Sequence, residues 1–186
     1  MTVNSYPVLF NITPLGTTAT LIYTVPTGTS LQGMALKLTN VDATTVRSAT
    51  VYAVSPDVKG SGTHDGSGNA ATLSDSTASF TTNQWAGYTI NNVTDGSTGT
   101  VTANTSTTIT ATLSGGTDND WDASDVYELY EAPLDANTVV PTMSIAPKDY
   151  TLVPLERLDA GTAIYALCSS ANKVNLSAVG GKLHSV

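Results

Sequence analysis

The stretch Met34-Ala35-Leu36-Lys37-Leu38-Thr39 alternates large apolar side chains with small or polar ones. Successive side chains of a β-strand point to opposite faces, so a period of two predicts a strand with one face turned inward. Residues 46–54 repeat the pattern, and Pro56 ends that run because proline lacks the N–H that a strand ladder needs. These two runs predict a chain built from β-strands.

Five further short runs have the same character: residues 21–25, 139–145, 150–153, 164–168 and 174–179. The run at 164–168 is apolar on both faces, which predicts a central strand covered on both sides. We expect the last run to end at Gly180-Gly181. Seven short strands in about 110 residues predict an all-β fold, an antiparallel β-sandwich of jelly-roll or immunoglobulin-like class.

The composition supports strands over helices. Charged residues make up 12% of the chain, against about 25% in an average soluble domain. About one residue in six is threonine, whose branched side chain suits a pleated, half-buried surface. Cys168 is the only cysteine, so no internal disulfide can form, and its apolar surroundings in the sequence predict burial.

Charge is divided unequally along the chain. Residues 60–147 contain no lysine or arginine but ten of the fifteen acidic residues, so this block carries −10 and the rest +2, which sum to the net −8. Acidic segments are often disordered, but disordered segments are poor in aromatic residues. This block contains six of them: Phe80, Trp85, Tyr88, Trp121, Tyr127 and Tyr130. The pattern predicts a folded, acidic module.

The predicted organisation has three parts. Residues 1–18 contain Pro7, Pro14 and Gly16 without a sustained period, and we expect an extended N-terminal arm. Residues 19–59 and 133–186 form the sandwich, and residues 60–132 form a module inserted in one of its loops. We expect a flexible glycine-rich entry to the module, then a small five-stranded SH3-like barrel. Its strands are predicted near residues 71–80, 86–93, 98–104, 107–113 and 125–131.

One loop of the module carries four carboxylates at short spacing: Asp118, Asp120, Asp122 and Asp125. Oxygen ligands on alternate residues are typical of calcium loops, but an EF-hand loop would need glycine at Ala123 and glutamate at Leu129. Aspartate and asparagine also form tight polar turns by bonding their own backbone. We therefore predict a solvated turn and no cofactor, with a site for a divalent cation such as calcium as the alternative.

Trp85 and Trp121 have two interpretations. In a small barrel most tryptophans belong to the core, but exposed ones stack on sugars or on a receptor. Both residues are therefore candidate ligand-stacking aromatics.

No enzymatic activity is predicted. Only two histidines exist, His64 and His184, and both lie in segments expected to be mobile, whereas a hydrolytic triad needs a histidine held in place. A pair of carboxylates brought together by folding, as in glycosidases, stays open as an alternative. Seven scattered basic residues do not predict nucleic-acid binding. No apolar run is long enough to predict a membrane span, and no secretion signal is recognised.

Four segments of the predicted sandwich resemble small β-sandwich virion proteins of tailed bacteriophages. They are Tyr23-Thr24-Val25-Pro26-Thr27-Gly28-Thr29, Leu38-Thr39-Asn40, Leu158-Asp159-Ala160-Gly161-Thr162-Ala163-Ile164 and Val174-Asn175-Leu176-Ser177-Ala178-Val179-Gly180. The insert also resembles a small module of phage and bacterial surface proteins, at Phe80, at Asn92-Val93-Thr94-Asp95-Gly96-Ser97 and at Asp125-Val126-Tyr127. Neither resemblance implies catalytic residues.

The resemblance implies a structural virion protein that assembles in the host cytoplasm. The first expectation is a capsid decoration or cement protein, a homo-oligomer such as a trimer that contacts the major capsid protein or other virion proteins. Its terminal segments, residues 1–18 and 180–186, would extend the contact. The alternative is a tail, collar or fibre component whose insert binds host-surface glycan or another receptor, and it expects an exposed Trp85 or Trp121.

Overall fold

The computed structural model describes residues 5–7, 12–132 and 138–185, and every regular element in them is a β-strand. The strands are β1 (Ser5–Pro7), β2 (Thr13–Pro14), β3 (Thr20–Thr24), β4 (Thr29–Asn40), β5 (Arg47–Val54), β6 (Val58–Thr63), β7 (Thr72–Ser74), β8 (Thr89–Asn92), β9 (Thr98–Asn104), β10 (Thr108–Ala111), β11 (Val126–Tyr130), β12 (Thr138–Ile145), β13 (Tyr150–Pro154), β14 (Ala163–Cys168) and β15 (Val174–Ser185).

The chain divides into two compact units. The inserted unit is Asp57–Ala132, and the frame unit consists of Met1–Pro56 and Pro133–Val186. The inserted unit holds ten acidic residues and one basic residue, for a charge of −9, and the frame unit holds five acidic and six basic residues, for +1. The two units thus differ strongly in charge. Residues 133–137 and Val186, which we assigned to the sandwich, lie outside the described residues.

Two antiparallel sheets form the frame unit. In the first, β1, β15, β4 and β13 follow one another and β2 also pairs with β15; in the second the order is β12, β5, β14, β3. Both sheets contribute to one core, with Leu36 and Leu38 from β4 on one side and Val51 and Ile164 on the other. The predicted all-β, antiparallel fold of sandwich type is confirmed. Strand β14 is central in its sheet, although its second face is only half-buried.

Both long strands of the first sheet bend at the same point. The register places Gly181 of β15 across from Gly33 of β4, and φ is +90° and +64° at these residues. On β4 the even-numbered residues from Met34 to Asn40 point inward, whereas before Gly33 the inward core residue is the odd-numbered Leu31. The prediction that the last strand ends at Gly180-Gly181 is wrong, because the paired glycines let both strands kink and continue.

The predicted N-terminal arm is described only at residues 5–7 and 12–18. There β1 and β2 pair with β15, and Leu15 is buried in the sandwich core. The Leu15 N–H donates to the Val174 carbonyl at 2.9 Å. Residues 13–15 are therefore packed as part of the sandwich.

The inserted unit is one six-stranded sheet in the order β6, β11, β8, β9, β10, β7, around a core of its own. The sequence interpretation missed β6, which it took for a flexible entry. The glycines there serve close packing: a Cβ on Gly62 would lie 2.6 Å from the Tyr127 Oη, and one on Gly66 would lie 2.7 Å from the His64 Cε1. The Asp65 N–H donates to the Ser74 carbonyl at 2.9 Å and so links the end of β6 to β7.

Candidate functional site

The long connection between β10 and β11, residues 112–125, carries four of the ten acidic side chains of the inserted unit. Trp121 holds this loop in place: its ring is 1% exposed in the core. Its backbone exchanges two hydrogen bonds of 2.9 Å with Ala70. The neighbouring residues Asp120 and Asp122 are therefore attached to a backbone position that is held in place by the core.

Three carboxylates of the loop gather beside this anchor. One oxygen each from Asp118, Asp120 and Asp122 lie within 4.8 Å of one another. The Asp120 Oδ1 is buried and has no hydrogen-bond partner. Burial raises the pKa of the Asp120 carboxyl, and the surrounding carboxylates of Asp118, Asp122, Asp95 and Asp125 raise it further. The three residues form a crowded, negatively charged group, which we name the acidic cluster.

Asp125, the fourth carboxylate predicted for this site, has a different role. It is buried, and its Oδ2 accepts hydrogen bonds from the Asn92 side chain at 2.7 Å and from the Asp122 N–H at 2.8 Å. The Asn92 amide also donates to Asp95 at 3.2 Å, and Asp95 in turn accepts the Ser97 N–H at 2.7 Å. Asp125 and Asp95 thus tie the β10–β11 loop to the β8–β9 turn.

Within residues 5–7, 12–132 and 138–185, no side chain of the acidic cluster forms an ion pair. The only basic residue of the inserted unit is Lys59, and it forms ion pairs with Glu131 at 3.4 Å and Asp57 at 3.8 Å. Carboxylate oxygens suit a hard divalent cation, and calcium takes about six to eight of them. Asp118, Asp120 and Asp122 would supply part of such a set. Leu129, at the last ligand position of an EF-hand, is fully buried in the core.

The two tryptophans lie in different surroundings. Trp121 belongs to the core and presents no ring face to a ligand, so the stacking interpretation does not hold for it. Trp85 is partly buried between Phe80 and Tyr88, with ring centres 6.1 Å and 5.2 Å away in edge-to-face geometry. Of the two tryptophans, only Trp85 keeps part of its surface exposed.

Sequence reasoning missed the structural role of His64. It was expected in a mobile entry, but it is 1% exposed and its ring packs 6.2 Å from that of Trp121. Its Nδ1 accepts the Ser74 N–H at 2.9 Å, and its Nε2 lies 3.1 Å from the Ser67 carbonyl, which requires a donor there. Both ring nitrogens therefore bond backbone groups of the inserted unit. Nothing in the local sequence signals this.

A second buried polar pair lies beside Gly62. The Tyr127 hydroxyl donates to Asp75 at 2.9 Å, and both residues are buried. Burial alone would raise the pKa of Asp75, but hydrogen bonds from Thr77 and Tyr127 outweigh it and lower the pKa. Burial and the Asp75 carboxylate together raise the pKa of Tyr127. This pair links β7 to β11 across the core.

The chain matches no protein-family model, no curated protein and no solved structure. Within residues 5–7, 12–132 and 138–185 there is no helix that could span a membrane.

Proposed function

We propose that the chain is a structural protein of a tailed-bacteriophage virion, and in the first place a decoration or cement protein that bridges capsid subunits. The observation that carries the proposal is the place of the phage-like segments in the fold. They form turns and strand ends that hold the sandwich together. Proteins that share such a sandwich would have similar residues at these positions.

Asn40 ends the second of these segments and is fully buried at the end of β4. Its side-chain amide donates to the carbonyls of Thr45 and Ile145, each at 2.9 Å. Gly161, in the third segment, has φ +80° and donates its N–H to the carbonyl of Val25, in the first segment, at 2.8 Å. These contacts join parts of the chain that are far apart in sequence.

We assign the frame unit to the jelly-roll or immunoglobulin-like class and the inserted unit to small barrels of SH3-like size. The link between Asp65 and Ser74, which joins the two outer strands of the six-stranded sheet, supports a nearly closed barrel. A barrel without free edges resists unwanted strand pairing, which suits a protein displayed in many copies.

The division of charge supports a role in a crowded shell. A frame of charge +1 can approach a capsid surface without strong repulsion, while an inserted unit of −9 keeps neighbouring particles apart. In this proposal the chain is a homo-oligomer, with a trimer as the expected form, and its partners are the major capsid protein or other virion proteins. It assembles in the host cytoplasm, has no catalytic role and binds neither nucleic acid nor membrane.

Counting the copies of the chain in purified particles tests this function. Quantitative mass spectrometry against the major capsid protein should give tens of copies or more per particle, and cryo-electron microscopy should place them on the head. Only a handful of copies, located at the tail, would instead support the alternative.

That alternative is a tail, collar or fibre protein that binds host-surface glycan or another receptor. The partly exposed aromatic trio of Phe80, Trp85 and Tyr88 favours it, because aromatic rings stack on sugars. A Trp85→Ala variant should then reduce host adsorption, while Leu21→Ala in the frame unit should not. Unchanged adsorption by Trp85→Ala particles would remove this alternative.

A further inference from the structure

The outward side of β13, β4 and β15 is a partly exposed surface of apolar and polar side chains, which we name the β13 face. Cross-strand register brings the following side chains together on it: Ala35, Lys37, Thr39, Tyr150, Leu152, Pro154, Asn175, Ser177 and Val179. Tyr150 is 53% exposed and Leu152 is 49% exposed. Exposed apolar side chains that adjoin one another on a sheet are typical of interaction surfaces.

A cavity continues this face at the kink of the two long strands. It has a volume of about 380 Å³ and is lined by Gln32, Gly33, Gly180, Gly181, Lys182 and His184. Val179 belongs to the β13 face and the next residue of β15, Gly180, lines the cavity, so the cavity adjoins the β13 face. A recess beside an apolar surface can accept a side chain of a partner.

The charges on the β13 face and in the cavity have one sign. Lys37 and Lys182 are the only lysine, arginine or acidic residues in the two sets, and neither forms an ion pair with a residue that the structure describes. The Lys37 Nζ instead lies 4.4 Å from the centre of the Tyr150 ring. The surface thus offers apolar contact and two positive charges.

The inserted unit carries a surface with the opposite character. Val93 and Val126 are exposed there and joined by a 2.8 Å bond from the Val93 N–H to the Val126 carbonyl. They adjoin Asp95 and Asp125, whose charges act on Asp120 of the acidic cluster. This end of the unit combines apolar side chains with an excess of negative charge.

We propose that the acidic cluster end of one copy, with Val93 and Val126, docks on the β13 face of a second copy. The apolar groups meet each other, and the carboxylates of Asp118 and Asp122 approach Lys37 and Lys182. Two β13 faces would not suit each other, because lysines would then face lysines without an acidic partner. The contact joins different surfaces of identical chains, and a closed ring of such contacts forms a cyclic oligomer. This names the surfaces of the homo-oligomer in the proposed function and rests on that part of it.

Sedimentation velocity of the purified chain tests the contact without any other virion protein. At low ionic strength the chain should form an oligomer that dissociates as salt is added. Leu152→Glu, and the double variant Lys37→Glu with Lys182→Glu, should each weaken association at least about tenfold. Adding Asp118→Lys and Asp122→Lys to the double lysine variant should restore association, since the two charges are then exchanged.

Matched controls separate the contact from general effects. Leu21 is 51% exposed on a strand of the other sheet, so Leu21→Glu adds the same charge away from the face, and Lys173→Glu reverses a lysine outside it. Both should associate like the unmodified chain. Calorimetry should show that the frame unit of every variant is folded, and tryptophan fluorescence should show the same for the inserted unit. A chain that stays monomeric at low salt overturns the proposal, as does equal loss in the controls or no recovery in the charge exchange. A monomer that still coats particles in tens of copies would leave the capsid function standing.

Discussion

His64 accepts a hydrogen bond from the backbone N–H of Ser74, 2.9 Å away, and so joins the two outermost strands of the inserted unit. Next to it the Asp65 N–H donates to the Ser74 carbonyl. The sheet is therefore linked at its margins by one side chain and one backbone bond, although the sequence separates their residues by a glycine-rich loop.

Replacing His64 with alanine should destabilise the inserted unit. The variant leaves a cavity beside Trp121 and a partly buried Ser74 N–H without its acceptor, which together cost about 2–4 kcal/mol. Urea denaturation followed by tryptophan fluorescence reports on this unit alone, because Trp85 and Trp121 both belong to it. His184→Ala is the control, and it should leave the curve unchanged. A His64→Ala curve that overlays the unmodified one would show that the link does not hold the unit.

Tyr127→Phe should weaken the same unit and change its response to acid. Asp75 is buried, and losing the Tyr127 donor should cost about 1–3 kcal/mol at neutral pH. The pKa of Asp75 is lower in the folded chain than in the unfolded chain. The ionised carboxylate therefore stabilises the fold at a pH above its unfolded-state pKa, and this stabilisation is lost as the pH falls through its folded-state pKa. The variant should therefore lose less stability than the unmodified chain on acidification. Tyr88→Phe is the control and should respond to acid like the unmodified chain. Equal acid sensitivity of Tyr127→Phe and the unmodified chain would contradict this account.

Asp120→Asn should stabilise the inserted unit at neutral pH. The raised pKa of Asp120 means that folding disfavours its ionised form. The inserted unit is therefore most stable at a pH below the unfolded-state pKa of this carboxyl, about 3.9, and loses stability as the pH rises through the folded-state pKa. Asparagine removes that charge, and the gain in melting temperature should be largest at neutral pH and vanish in acid.

Asp57→Asn is the matched control, since it removes an exposed carboxylate that pairs with Lys59 elsewhere in the unit. It should change the melting temperature little. Sodium chloride should stabilise the unmodified chain more than Asp120→Asn, because it screens the repulsion. A larger rise with calcium than with magnesium at equal ionic strength would reveal a specific cation site at the acidic cluster.

Gly181→Ala should destabilise the frame unit. Its φ of +90° strains any side chain, and an added Cβ would lie 2.9 Å from the Cβ of Met34. We expect the free energy of unfolding of the frame unit to fall by about 1–3 kcal/mol. Calorimetry should show a lower transition temperature for the frame unit, while the transition of the inserted unit, followed by tryptophan fluorescence, should not change. Gly16→Ala is the control, because its nearest neighbour would lie 3.9 Å away. A frame transition at the original temperature would contradict the role of the kink.

The strands that could be predicted were those with a local signal. Alternation around Leu36 and Leu38, and the apolar run that ends at Cys168, appear in the structure as β4 and β14. Strand β6 was missed because glycines also occur in flexible loops. Only the closeness of Gly60 to Trp85 and of Gly62 to Asp75 and Tyr127 explains its glycines. The continuation of β15 past Gly181 was missed for a similar reason, since the glycine across from it lies about 150 positions earlier in the chain.

Two features of this protein can be derived from its sequence alone: it is made of antiparallel strands, and most of its negative charge lies in one inserted stretch. Both are local properties, because strand period and charge are carried by neighbouring residues. Other arrangements are visible only in the folded chain. Asp118, Asp120 and Asp122 lie together, Asp125 instead accepts a hydrogen bond from Asn92, and Trp121 and His64 are buried side by side. Those arrangements depend on pairing between distant strands, and the spacing of residues along a chain does not specify which strands meet.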